Sequence, residues 1–235
     1  MLQATLDSVE QLTPRIRQFW FRPQQPLDFV AGQFTELYLP HAEPDDRGQK
    51  RWFTISSAPG GALFSITSKL AAEQPSSFKR ALWALEPGAK IQFTDPMGDF
   101  VLPKDARLPL IFIAGGIGIT PMHSMIKYLA DRHQQRDIQL IYDVHSPEEL
   151  LFTDLFDSYG LQFTPVVTTA DASWSGDIGK INITRLQRMA DEAPTALIYM
   201  SGPEQLVELL TAELQKSGVA SHRLIADFFH GYRSV

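Results

Sequence analysis

Near residue 104 the hydrophobic pattern changes its period, and that change constrains the fold more than any single motif. Before it, short apolar-aromatic runs at 15–22, 34–39, 52–57, 63–67 and 90–93 are separated by Pro, Gly and Asp turns. Such spacing is that of a small antiparallel barrel or sandwich. One helix interrupts the runs: Ser76 and Ser77 can cap a segment in which Phe78, Ala81, Leu82 and Leu85 recur at helical spacing. From Leu108 onward, apolar runs at 110–114, 138–142, 162–167, 196–200 and 223–228 are mostly separated by helical stretches. That alternation predicts a five-stranded parallel α/β sheet. The expected organisation is an antiparallel β domain over residues 1–104, a linker at 103–107, and an α/β domain over residues 105–235.

Composition removes several function classes. With 21 basic and 27 acidic side chains, the net charge of −6 lacks the basic surplus that binding a phosphate backbone needs, so no nucleic-acid partner is expected. The deficit of six lies entirely in residues 105–235, where solvated helix faces account for it. The apolar stretch 108–122 is shorter than the ~20 residues of a membrane crossing and is broken by Gly115, Gly116, Gly118 and Pro121. The first residues lack the charged start and apolar middle of a signal peptide, so a cytoplasmic location without a membrane span is expected. The absence of cysteine excludes disulfides, cysteine zinc sites, thiolate nucleophiles and a cysteine-ligated iron–sulfur cluster. Six scattered histidines make no metal-binding pair, so no metal is expected. A redox function would place its electrons on an organic cofactor.

The segment Ala114-Gly-Gly-Ile-Gly-Ile-Thr-Pro121 follows the buried strand 110–114 and precedes a helix expected over 122–130. Thr120 suits the N-cap and Pro121 the first helical position. Glycines let backbone approach a ligand, and a helix N-terminus offers free N–H groups to a pyrophosphate. A tight strand-to-helix turn would account for one glycine; Gly115, Gly116 and Gly118 together favour dinucleotide binding.

The segment Lys50-Arg-Trp-Phe-Thr-Ile-Ser-Ser57 is by itself a strand with an extra arginine. With the glycine loop downstream, it resembles the flavin-binding signature of the ferredoxin–NADP reductase superfamily, Arg-x-aromatic-Ser/Thr. Gly32-Gln-Phe34, Ser76-Ser-Phe-Lys79, Asp95-Pro-Met-Gly-Asp-Phe100, Ser201-Gly-Pro203 and Asp227-Phe-Phe-His-Gly-Tyr232 extend the likeness over nearly the whole chain. The resemblance implies a Greek-key β-barrel that binds FAD and an α/β domain that binds NADH or NADPH.

Carried over residue by residue, the resemblance implies that Arg51 bridges the FAD pyrophosphate as a bidentate donor. Trp52 belongs to the same FAD segment. Phe53 would stack on the flavin where the family usually has tyrosine, losing that hydroxyl's hydrogen bond. Thr54 would point at flavin N5. Thr67, Ser68 and Lys69 would line the ribityl and phosphate path. Ser76 and Ser77 would meet the pyrophosphate, or simply cap their helix. Gly115, Gly116, Gly118, Thr120, Pro121 and Thr168 would bind the nicotinamide nucleotide, with Ser201, Gly202 and Pro203 beside the nicotinamide. Asp227 would stand near the flavin–nicotinamide contact, and Phe229 would shield the flavin's second face. Thr54, Ser201 and Asp227 are the candidate catalytic residues. The segments after the second and third parallel strands, Tyr142–Ser146 and Thr168–Asp171, hold two acids and no arginine or lysine. Their charge favours NADH, while His145 and Ser146 leave NADPH open.

The implied function is an FAD-dependent NAD(P)H oxidoreductase: hydride passes to flavin N5, then single electrons leave to a separate acceptor. Ferredoxin, flavodoxin, another redox protein or a small acceptor are the candidate partners. Two alternatives stay open, a flavin reductase that uses free flavin as substrate and a non-catalytic electron-transfer subunit.

Overall fold

The computed structural model describes residues 1–229; the side chain of Phe229 and all of residues 230–235 lie outside the described part. Contacts divide the chain into two units. One is Met1–Val101 with His123–Tyr128; the other is Leu102–Met122 with the residues from Leu129 onward.

In the first unit, β1 (Leu2–Thr13), β2 (Ile16–Pro23), β3 (Phe34–Tyr38), β4 (Lys50–Thr54), β5 (Phe64–Lys69) and β6 (Lys90–Phe93) form one sheet in the order β4-β3-β6-β1-β2-β5. All its pairings are antiparallel. The end strands meet: Ile55 and Ile66 bridge, and the Ser56 N–H donates to the Ser65 carbonyl at 2.8 Å, closing the sheet as expected for a barrel. Inward alternation on these strands buries Phe19, Phe21, Phe64 and Phe93. The short helix α1 (Ser77–Trp83) adds Phe78 and Leu82 to the same cluster. The sequence reading leaves β1 out for a physical reason. Only Ala4 and Leu6 of its twelve residues are buried, so its place comes from pairing with β2 and β6 rather than from apolar signal.

The second unit holds β7 (Leu110–Gly115), the two ends of α2 (Ile119–Asp131), β8 (Ile138–Val144), α3 (Thr153–Tyr159), β9 (Gln162–Val167), β10 (Asp177–Ile178), α4 (Ile183–Glu192), β11 (Leu197–Pro203), α5 (Glu204–Lys216) and β12 (Leu224–Phe229). Its parallel sheet runs β10-β9-β8-β7-β11-β12. The expected five strands are present. The sixth, β10, is two exposed residues at the edge, too short to leave a sequence signal. Every residue of β7 is buried, as a central parallel strand covered on both faces requires. The chain leaves β7 toward β8, β9 and β10, then returns to β7's other side with β11 and β12. The carboxyl ends of β7 and β11 therefore flank a topological switch point, where open parallel sheets place ligands.

The start of α2 differs from expectation. A 3₁₀ turn over Gly116–Gly118 leads into a helix beginning at Ile119, not 122, and Gly118 rather than Thr120 is its N-cap. Thr120 lies within the first helical turn, and its hydroxyl donates back to the Ile117 carbonyl at 3.0 Å. Pro121 is the third helical residue rather than the first. The first-turn N–H groups have no intrahelical partner, so proline is tolerated there as well.

Candidate functional site

Two groups of candidate residues gather, one in each unit. In the barrel, strand alternation splits the segment 51–54. Trp52 faces away from Arg51 and Phe53 on either side of it. Trp52 is 61% exposed, with its indole N–H donating to Glu36 at 3.2 Å and its ring tilted on Phe34. Its side chain is thus not grouped with those of Arg51 and Phe53. Phe53 is only 7% exposed and packs against Phe78, with ring centroids 5.9 Å apart. It belongs to the barrel core cluster. Thr54 and Ser68 are buried near the ends of β4 and β5. Thr67 donates to Ser56 at 2.9 Å within a buried serine network that also ties Ser65 to Gln18. Lys69 ends β5, and its carbonyl accepts from the Lys79 ammonium at 2.8 Å.

Arg51 is heavily engaged. Its Nη1 donates to the carbonyls of Arg47, Gly48 and Lys50 at 2.6, 3.1 and 2.6 Å, and Nη2 donates to Asp45 Oδ1 at 2.9 Å. The other Asp45 oxygen, Oδ2, accepts the Ser77 N–H at 2.9 Å, while the Asp45 N–H donates to the Ser77 hydroxyl at 2.9 Å. His41 Nε2 lies 3.0 Å from that hydroxyl. Burial alone would raise the Asp45 carboxyl. The Ser77 N–H, the Ser77 hydroxyl and the Arg51 guanidinium outweigh it and hold the group below the usual carboxylate range. Ser76 is the helix cap, its hydroxyl accepting the Lys79 N–H at 3.3 Å. Ser77 is not a second cap: its N–H and hydroxyl are joined to Asp45. Sequence reasoning missed His41 and Asp45; for Asp45 the reason is that Pro44-Asp-Asp-Arg-Gly48 carries no signal beyond that of a polar turn.

In the second unit the site is made of backbone. A Cβ on Gly118 would fall 2.2 Å from the Ser201 carbonyl oxygen. One on Gly115 would fall 2.5 Å from Leu206, and one on Gly202 3.1 Å from Gly115. These glycines let the end of β7 interlock with the end of β11. Gly116 is different: φ is +52°, and nothing lies within 4 Å of its missing Cβ. The first turn of α2 has no acidic residue and no side-chain cap. Ladder register places Ala114, Ser201 and Asp227 side by side on β7, β11 and β12, with Asp143 beside Gly115 on β8. Pro203 ends β11, and α5 follows it directly. Thr168 is exposed just after β9, two strands from the glycine turn, and does not join this row. Burial pushes the Asp143 and Asp227 carboxyls up to about 6. Asp143 was legible as an acid at a strand end; its register beside Gly115 was not. The backbone of β12 reaches Phe229, whose side chain, with His230–Tyr232, lies outside the described residues.

Whether such a site fits a flavin and a nicotinamide can be tested on its polar atoms. Among the described residues, five buried side-chain polar atoms lack a hydrogen-bond partner: Arg51 Nε, Thr54 Oγ1, Ser68 Oγ, Trp83 Nε1 and Ser201 Oγ. Orphans of this kind are rare and call for a reason. Four belong to residues singled out from sequence, and Trp83 has no explanation here. A donor on an arginine and hydroxyls able to donate or accept suit phosphate, ribityl and amide groups. The residues fit. Among the described residues, no group of three or more His, Asp and Glu could hold a metal ion, and no helix is long and apolar enough to cross a membrane.

Residues 112–211 match the family described as the oxidoreductase NAD-binding domain. The chain is 25% identical to the NAD(P)H-flavin reductase of Vibrio harveyi, over 97% of this chain and 98% of that one. It is also 25% identical to the reductase component of propane 2-monooxygenase from Rhodococcus jostii. That match covers 94% of this chain but 61% of the other, so the chain spans about three fifths of that relative's length. Among solved structures, a ferredoxin NADP+ reductase from Neisseria gonorrhoeae with bound FAD and NADP superimposes with a TM-score of 0.80 at 22% identity, covering 96% and 97% of the two chains.

Proposed function

We propose that the chain is a member of the ferredoxin–NADP reductase superfamily, an FAD-dependent oxidoreductase that takes hydride from NADH or NADPH and passes electrons singly to a separate acceptor. The acceptor would be a ferredoxin- or flavodoxin-type protein, another redox protein or a small molecule. A bound flavin supplies the exchange between two-electron and one-electron chemistry, which no side chain here can provide. Arg51 would hold a flavin phosphate through its buried Nε–H. Thr54 and Ser68 would offer their unpartnered hydroxyls to the polar edge and ribityl chain, with Lys69 beside them. Phe53 would give the site a rigid apolar wall. On the parallel sheet, Gly116 and the uncapped first turn of α2 would meet the dinucleotide's phosphates. Ser201 would place its hydroxyl by the nicotinamide amide. Asp227, close to its titration midpoint near neutral pH, would hold or release a proton beside the reacting ring. Asp143 at the end of β8 adds a carboxylate where a ribose 2′-phosphate would be disfavoured, which supports NADH.

The observation that carries this reading is the coincidence of orphaned buried polar atoms with residues chosen for flavin and nicotinamide contacts. Its test is anaerobic titration of the flavin-loaded protein with NADH and NADPH. Bleaching of the flavin absorbance at stoichiometric reductant is expected; flavin that binds but stays oxidised for minutes would leave only an electron-transfer subunit. Protein that binds no flavin would end the proposal.

A second reading, a flavin reductase that releases its flavin, is favoured by a specific observation. The Arg51 guanidinium already has a carboxylate partner. Gel filtration separates the two: a prosthetic FAD co-elutes, a substrate flavin does not.

A further inference from the structure

The loop between β3 and β4 carries a charged group, Asp45, that the proposed chemistry does not use. Asp45 lies in the polar turn after β3, yet its two oxygens take the Arg51 Nη2–H and the Ser77 N–H, both at 2.9 Å. Oδ1 also accepts the Arg47 N–H at 3.1 Å. The loop is tied in further by Gln49, which donates to the His41 carbonyl at 2.9 Å, and by the Gly48 N–H, which donates to the Asp45 carbonyl at 2.9 Å. The guanidinium side chain is nine-tenths buried while its Nε has no partner.

We propose that Asp45 competes with the phosphate of a flavin nucleotide for Arg51, and so determines how tightly phosphorylated flavins are held. The inference rests on the flavin reading given above and concerns its selectivity. Arginine binds phosphate best with the parallel Nε–H and Nη2–H pair. Here Nη1 is spent on three carbonyls, so that pair is the only fork left. Half of the fork is held by a carboxylate. A phosphate that takes it must either displace Asp45 from Nη2 or sit against it, and two anions within a few ångströms repel. The Ser77 N–H is committed to the same carboxylate, so it too becomes available only when Asp45 withdraws. Asp45 stays ionised throughout the neutral range, because its partners hold its carboxyl low. A flavin without phosphate, such as riboflavin, makes no demand on this fork and is indifferent to Asp45.

The test compares wild type with Asp45→Asn, which keeps an oxygen acceptor for Arg47 but removes the charge. Asp45→Ala is the second variant, so that a local folding defect in one does not decide the result. Flavin-fluorescence titrations of flavin-free protein with riboflavin, FMN and FAD at fixed ionic strength give three dissociation constants per protein. The expected outcome is about tenfold tighter FMN and FAD, the size of one like-charge contact removed, with riboflavin unchanged within about twofold. Unchanged constants, equal tightening of all three flavins, or weaker FMN and FAD would each overturn the proposal. The last would make Asp45 a positioning residue for Arg51. If wild type binds none of the three flavins, the flavin reading fails and takes this inference with it.

Discussion

The barrel and the parallel sheet present their candidate sites in opposite chemical styles. In the barrel, the groups meant for a ligand are side chains, and most already have partners: Arg51 holds Asp45, Thr67 holds Ser56, Ser76 caps α1. In the sheet the site is mostly backbone at the switch point between β7 and β11, where Gly116 has open space beside it and the helix start has no side-chain cap. Carboxylates follow the same division. Asp45 is paired and its carboxyl lies low; among the described residues Asp143 and Asp227 have no cation partner, and burial raises both to about 6. A site built from side chains must satisfy them locally or leave them orphaned at a cost. One built from backbone needs only room and the right φ.

The largest expected break in that comparison comes from Gly118→Ala. A Cβ 2.2 Å from the Ser201 carbonyl oxygen and 2.7 Å from Gly202 Cα meets backbone, not a side chain that can turn away. Overpacking of this kind costs about 3 kcal/mol or more, which for a chain of this length lowers the melting temperature by roughly 10 °C. Calorimetry checks it. NAD(P)H binding should be lost as well, while flavin binding by the barrel persists. A variant with unchanged melting would mean that β7 and β11 do not interlock here.

Arg51→Ala follows in size and probes the side-chain site. Loss of a charge-assisted phosphate contact should weaken FAD roughly 10- to 100-fold and leave riboflavin nearly unaffected. Fluorescence titration measures both. NAD(P)H binding to the second unit, read by calorimetry, should not change. Equal weakening of FAD and riboflavin would instead assign Arg51 to holding the barrel together.

Smaller, and sharper in pH, is the effect of neutralising the raised carboxylates. Below pH about 4, Asp227 is protonated in the folded and unfolded chain alike and costs nothing. Between about 4 and 6 the folded chain keeps a proton that the unfolded chain has released, and above 6 a partly buried charge opposes folding. Asp227→Asn and Asp143→Asn should therefore each stabilise at pH 8 by on the order of 1 kcal/mol, after allowing for partial exposure. At pH 4 the gain should vanish. Asp45→Asn should run the other way, destabilising at pH 8 and losing that effect as pH falls below 4. Thermal melts at the two pH values compare the three variants directly.

How much could be read from sequence follows the same division. The switch from short strands to alternating strands and helices was legible because buried strands such as β7 are continuous apolar runs. The glycine turn was legible because an exception to side-chain chemistry is visible as glycine. β1 was not, since a strand with two buried residues of twelve has almost no apolar period. The N-cap of α2 was misplaced by two residues because Thr120 and Pro121 fit several positions of a first helical turn. Trp52, Phe53 and Asp45 show the deeper limit. A motif names the residues of a segment, but pleat alternation and a polar loop decide which face each one occupies and whether its partner is a ligand or a neighbour.

The smallest change discriminates best between a turn that serves the fold and one that serves a ligand. Gly116 has φ +52° and open space where its Cβ would stand. Alanine there pays only the left-handed penalty of about 1 kcal/mol, so Gly116→Ala should lower the melting temperature by about 3 °C. Gly115 and Gly118, by contrast, are accounted for by their contacts with β11 and α5. If this turn were only a way from β7 into α2, Gly116→Ala would cost that small strain and nothing else. If a dinucleotide phosphate lies over the turn, the added methyl group stands in its way. NAD(P)H binding, followed by nicotinamide fluorescence, should then weaken by about tenfold or more, out of proportion to the stability lost. A variant that melts slightly earlier and binds NAD(P)H as wild type does would move the nucleotide off this turn.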